Sequence, residues 1–142
     1  PRMSYLVATD GSTEGDEAVR YAARQAVAFY ETLEVVHVLT PDSELVDGTI
    51  ILPGEDAAVE AGEGVLDSAR RIAEEAVDEP ITVETRLLTG RPADAITEHA
   101  AEASADAIFV GHRGLSEERE RVVGSVAKSV VDKADVPVTV IR

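Results

Sequence analysis

The chain has 142 residues, 44% of them hydrophobic and none of them cysteine. That fits one domain (1–142) with a single core and excludes disulfides, zinc–thiolate sites and cysteine nucleophiles. A net charge of −15, from 28 acidic against 13 basic residues, excludes the basic footprint that nucleic-acid binding needs.

Five β-type runs alternate with four helical stretches. Ser4 to Thr9 is a strand, closed by the turn Asp10-Gly11-Ser12. The next helix places Ala18, Ala22, Ala26 and Phe29 on one face, with Ser12 or Thr13 as its cap and Glu14, Asp16 and Glu17 at the positive end of its dipole. Leu33 to Leu39 is the second strand, and Thr40 to Glu55, carrying Pro41, Gly48, Pro53 and Gly54, reads as a loop. Asp56 to Val77 is a long helix with Leu66, Ala69, Ile72, Ala73 and Ala76 facing inward. Ile81 to Leu88 alternates apolar with polar, as does a strand with one solvated side near a sheet edge. After Thr89-Gly90, Pro92 suits a first helical turn, and the helix to Ala103 buries Ile96, Ala100 and Ala103. Ala107 to Val110 is continuously apolar, which predicts a strand covered on both faces. A helix from Ser125 to Ala134 and a strand from Val136 to Ile141 end the chain, Pro137 marking that strand as an edge. No apolar run reaches the roughly 20 residues that span a bilayer, and no charged-then-apolar leader is present, so a soluble, cytoplasmic protein is expected.

Strict βαβα order predicts an α/β fold, a doubly wound open five-stranded parallel sheet with helices on both faces. Ligands of such sheets sit beyond the carboxyl ends of the strands, where the strand order reverses. Two segments qualify, Asp10-Gly11-Ser12 and the stretch from Gly111 onward. The second runs Gly111, two residues, Gly114, nine residues, Gly124, then Ser125 at a helix start. Glycines let a backbone approach phosphate oxygens, and the helix N-terminus offers unpaired N–H groups. Arg113, Arg119 and Arg121 supply charge that could meet a phosphate. Glycines of this kind also serve simply as turn formers.

The chain resembles the universal stress protein family, whose nucleotide-binding members carry Gly-x2-Gly-x9-Gly followed by Ser or Thr after the fourth strand. Here that pattern stands at Gly111, Gly114, Gly124 and Ser125. The resemblance spans the whole chain, through Val7-Ala8-Thr9-Asp10-Gly11-Ser12, His37-Val38, Gly90-Arg91-Pro92 and the closing Pro137 to Arg142. It implies strand order 3-2-1-4-5 of the adenine nucleotide alpha hydrolase-like kind, and ATP or another adenine nucleotide as ligand, with Mg²⁺ as its companion. It implies that Ala8, Thr9 and Asp10 line the site, Asp10 binding ribose hydroxyls or holding the metal, and that Val38 meets adenine through its backbone. Gly111 would lie against the ribose, Arg113 near the phosphates, and Gly114, Gly124, Ser125 and Val126 would hold the phosphates. It further implies a homodimer in which the strands Val136 to Ile141 pair. An apolar edge strand left open would be an aggregation template, which supports the same dimer.

The departure from the family lies at Glu117 to Arg121, where relatives carry apolar residues. Acidic decoration of a halophilic surface explains it. So does a chain that has lost the nucleotide and acts as an ATP-independent dimeric interaction module. Lys128 and Lys133 are the lysines, the rest of the 13 basic residues being arginine, in keeping with a high-salt cytoplasm. No nucleophile–base pair is evident, so a stress-response regulator is expected rather than an enzyme, with slow hydrolysis or self-phosphorylation at Ser125 or Ser116 as the most it would do. His37 reads as a packed or hydrogen-bonded strand residue, His99 as a helical residue with no partner set, and His112 as facing either nucleotide or solvent.

Overall fold

A computed structural model describes residues 4–40, 44–46, 49–51, 56–112 and 125–142. In chain order the elements are β1 (Ser4–Ala8), α1 (Thr13–Ala28), β2 (Thr32–Leu39), β3 (Glu44–Val46), β4 (Thr49–Ile51), α2 (Asp56–Glu75), β5 (Val83–Thr89), α3 (Pro92–Glu102), β6 (Ala107–Gly111), α4 (Ser125–Lys133) and β7 (Val138–Ile141). Five strands form one parallel sheet in the order β5-β2-β1-β6-β7, which counted along the chain is 3-2-1-4-5, the order expected.

Strand alternation sorts the core into two layers. Val7, Leu33, Val35 and Phe109 point to the face covered by α1 and α2, where they meet Ala18, Ala22, Leu66 and Ala69. Leu6, Val36, Ile108 and Val110 point to the opposite face, onto Ile96 and Ala100 of α3 and Ala127 and Val130 of α4. Side chains buried on both sides of β1 and β6 explain their continuous apolar runs. Alanine along α1 keeps that helix close to the sheet, and Arg70 of α2 donates from Nη1 to the Val83 carbonyl at 2.6 Å, pinning α2 to the start of β5.

Three local expectations are corrected. The segment read as a loop contains an antiparallel pair, β3 with β4, registering Glu44 against Ile51. Runs of three residues are too short to show a period, and the flanking prolines dominated the reading. Pro137 precedes β7 instead of lying in it, and its carbonyl accepts the Ile108 N–H at 2.9 Å, so it joins the ladder only as an acceptor. Phe29 does not continue the apolar face of α1: it is the C-cap and is 60% exposed.

Candidate functional site

The strand order reverses between β1 and β6, and the chain leaves both strands there in tight turns. Thr9, just past β1, is buried. Its N–H donates to the Val36 carbonyl at 3.0 Å and its Oγ1 accepts the Gly11 N–H at 3.1 Å. The Thr9 carbonyl accepts from Nδ1 of His37 at 2.8 Å, so that nitrogen carries the ring hydrogen and His37 braces β2 against the end of β1. Asp10 is exposed, and its Oδ1 accepts the Ser12 N–H at 3.0 Å in an Asx-type turn. Gly11 completes the turn with φ +84°, a conformation that disfavours a side chain. Ser12 caps α1, its Oγ accepting the Gly15 N–H at 3.1 Å.

The first turn of α1 is pressed against the ends of both strands. A Cβ on Gly15 would lie 2.4 Å from Thr9 Oγ1 and 3.1 Å from Asp10 Oδ1. A Cβ on Gly111, the last residue of β6, would lie 2.8 Å from the Glu14 carbonyl oxygen. Gly15 thus belongs to the site's framework. Its sequence signal was a glycine in the first turn of an otherwise well-formed helix. His112 follows Gly111 and continues the ladder, its N–H donating to the Ile141 carbonyl at 2.6 Å. The ring is 8% exposed, and its Nε2 is occluded without a hydrogen-bond partner among the described residues.

Of the other candidates, Ala8 is the half-buried last residue of β1, and Val38 is half-buried near the end of β2 on the α3/α4 face. Ser125 and Val126 open α4 and are exposed, while Ala127 and Val130 anchor the helix to the sheet. The first turns of α1, α2 and α3 carry acids, whereas that of α4 carries none. Arg113, Gly114 and Gly124 lie outside the described residues, as do Ser116 and Glu117 to Arg121. The structure therefore gathers Thr9, Asp10 and Gly111 around one helical turn, with Ser125 and Val126 on the other side of the sheet.

Two polar links stabilise the scaffold on that side. Lys133 Nζ of α4 donates to Asp94 Oδ1 of α3 at 2.5 Å, and this hydrogen bond and charge hold the Asp94 carboxyl below its usual range. His99, whose partner the sequence did not reveal, has its Nε2 2.9 Å from Oε1 of buried Glu34, with Arg86 Nε 3.7 Å from the other carboxylate oxygen. On the α1/α2 side, an open groove of about 560 Å³ runs from Gly11 past Asp16 and Arg71 to Glu75. Burial raises the Asp16 carboxyl above its ordinary value, with Arg20 acting in the opposite direction. Among the described residues no group of three or more His, Asp or Glu side chains is arranged to hold a metal ion, and no helix is long and apolar enough to cross a membrane.

This architecture has known counterparts. The family model described as "Universal stress protein family" matches residues 3–142. A universal stress protein of Thermus aquaticus is 34% identical over 141 residues, covering 96% of each chain. Among solved structures, a universal stress protein in complex with cAMP superposes with a TM-score of 0.75 at 29% identity, covering 99% of this chain and 97% of that one. The Archaeoglobus fulgidus universal stress protein in complex with dAMP gives the same TM-score and identity, covering 99% and 98%. With the family model matching almost the whole chain and the strand order in place, the chain belongs to the universal stress protein family.

Proposed function

We propose that this chain is a single-domain, cytoplasmic stress-response regulator that binds an adenine nucleotide, ATP foremost, at the crevice between β1 and β6. The observation that carries the reading is the turn from Thr9 to Gly15. It is fixed by four hydrogen bonds to Thr9, Asp10 and Ser12 side chains and to the Val36 carbonyl, and it is packed against Gly111 at the point of strand reversal. Open α/β sheets bind ligands at this position, and the two structural neighbours that hold cAMP and dAMP support an adenosine phosphate as the ligand here.

In this reading Ala8, Thr9 and Asp10 face the ribose, with Asp10 also available to Mg²⁺, and Val38 meets adenine. Gly111 adjoins the ribose, and Arg113, Gly114, Gly124, Ser125 and Val126 hold the phosphates. The start of α4 suits that role, since it presents N–H groups with no carboxylate in its first turn. The protein acts as a homodimer through β7. That strand ends the sheet with Val138, Val140 and Ile141 only half-buried, an apolar edge of the kind that proteins cover.

One observation favours a second reading, the nucleotide-free interaction module. The Glu14 backbone by itself explains why residue 111 is glycine, so the motif's first glycine does not require a ligand. Titration calorimetry with ATP, AMP, cAMP and adenosine, with Mg²⁺ and at molar salt, decides between the two. Saturable heat with at least one nucleotide is expected. Silence across all four, together with an unchanged melting temperature, would establish the module.

A further inference from the structure

We propose that His112 is a phosphate-binding residue of this site, its Nε2–H donating a hydrogen bond to a phosphate oxygen of the bound nucleotide. The inference rests on the adenine-nucleotide reading given above and assigns to it a side chain that stands between the first two glycines of the pattern.

The starting observation is an unmet polar atom. Nε2 of His112 is occluded from solvent and lacks a hydrogen-bond partner among the described residues, in a ring only 8% exposed. Buried polar groups are nearly always paired, and an orphan calls for a specific cause such as a water or a ligand. Backbone disorder is not that cause, because the His112 N–H is held by the Ile141 carbonyl at 2.6 Å, in continuation of the β6–β7 register.

Position selects the partner. Along β6, Ile108 and Val110 pack on the α3/α4 face, Phe109 packs on the α1/α2 face, and residue 111 adjoins Glu14 of α1. The next step of the alternation turns residue 112 to the α3/α4 face, at the carboxyl end of the strand. That is the face on which α4 begins at Ser125, with no acid in its first turn although 28 of the chain's 142 residues are acidic. An imidazole N–H on the sheet face that also carries the positive end of a helix favours an anion as acceptor. A phosphate oxygen satisfies both groups, and the hydrogen bond to it is charge-assisted whether the ring is neutral or protonated. A bridging water would satisfy Nε2 equally well but would give His112 no part in affinity.

The test compares AMP with adenosine on wild type, His112→Leu and His112→Gln by calorimetry. Leucine removes the donor, while glutamine carries an amide N–H at about the reach of Nε2. The expected result is that His112→Leu weakens AMP by about tenfold or more, that His112→Gln restores most of the loss, and that adenosine affinity is unchanged in all three. Equal weakening of AMP and adenosine would mean a structural role, and unchanged AMP affinity in His112→Leu would mean a water partner. Either overturns the proposal while leaving nucleotide binding intact. If wild type binds neither ligand, the nucleotide reading itself falls, and this proposal with it. Should the leucine variant not fold, the imidazole ¹⁵N resonances of wild type decide: Nε2 must shift with AMP and stay in place with adenosine, and the same shift with both overturns the assignment.

Discussion

Gly15 and Gly111 lack side chains for the same reason, the closeness of the first turn of α1 to the ends of β1 and β6. At Gly111 the obstruction is the Glu14 backbone, at 2.8 and 2.9 Å from the Cβ position, and backbone cannot swing away as a side chain tip can. Gly111→Ala is therefore expected to destabilise the ligand-free protein by about 1–3 kcal/mol, the usual range for overpacking. Gly64, in the middle of α2 with nothing within 4 Å, is the control. There alanine should stabilise by about 0.5–1 kcal/mol through backbone entropy alone. Urea denaturation of both variants without nucleotide reads the two signs. At the opposite end of the sheet, Glu31 and Asp106 bring two carboxyl groups together beneath Tyr5. Burial, followed by hydrogen bonding and charge from Asp106, raises the Glu31 carboxyl above its ordinary 4.5, and burial with both acids raises Tyr5. Oε1 of Glu31 is occluded without a hydrogen-bond partner among the described residues, because two carboxylate oxygens can only accept until one takes up a proton. A raised acid favours the folded state fully below its unfolded pKa, and that contribution is lost as pH rises through the folded value. Glu31→Gln should accordingly melt higher than wild type at neutral pH, with the gap closing below about pH 4.5. A constant gap across that range in calorimetric scans would show that the fold does not raise the Glu31 carboxyl.

At the scale of elements, two helices end in the same way without the residue that normally marks it. After the α1 C-cap Phe29, Tyr30 N–H bonds to the Val27 carbonyl and Glu31 N–H to that of Ala26, while after Ala103 of α3, Ser104 and Ala105 reach Ala101 and Ala100. Both are Schellman closures, with Tyr30 at φ 59° and Ser104 at φ 56° where glycine is usual. Tyr30 is 96% exposed, so removing its ring sacrifices no packing. Tyr30→Gly should thus stabilise by about 0.5–1 kcal/mol, the left-handed strain relieved less the entropy of a freer unfolded chain. Chemical denaturation reads this directly, and a loss of stability would mean that the ring has a partner in solution. The same pair shows what the sequence could and could not disclose. Continuous apolar runs at Ala107 to Val110 and alanine at four-residue spacing in α1 marked buried strands and helices unambiguously. The α1 terminus is not legible in the sequence because Phe29 continues the apolar spacing while the αL residue, Tyr30, carries no glycine signal. For the candidate site, the glycine spacing singles out Gly111 and Ser125. By contrast, Gly15, the burial of His112 and the Glu34–His99 pair depend on which segments the topology brings together, and spacing along one segment carries no record of that.

For the whole molecule, charge is the dominant variable. A net −15 spread over a core of mainly alanine and valine leaves self-repulsion opposed by a modest apolar gain. At 0.1 M salt the Debye length is roughly 10 Å and the carboxylates sense one another across the surface; at 1 M it is roughly 3 Å and each is nearly isolated. The melting temperature should therefore climb steeply with KCl up to about 1 M and flatten beyond it. A merely excluded cosolute would instead raise it steadily. The same field acts on any anionic ligand approaching the β1–β6 crevice. Proteins with basic phosphate sites lose affinity as salt rises, because screening removes an attraction. Here the long-range interaction is repulsive, while the contacts that would hold a phosphate, the α4 N–H groups and His112, act at hydrogen-bond distance and are little screened. AMP affinity should thus increase between 0.1 M and about 1 M KCl, whereas adenosine affinity stays nearly level. Calorimetric titrations at matched pH, above the salt needed to keep the protein folded, measure both slopes. AMP affinity that falls with salt would show that local positive charge outweighs the net −15 at the site, which would assign a dominant role to the arginines between Gly111 and Ser125.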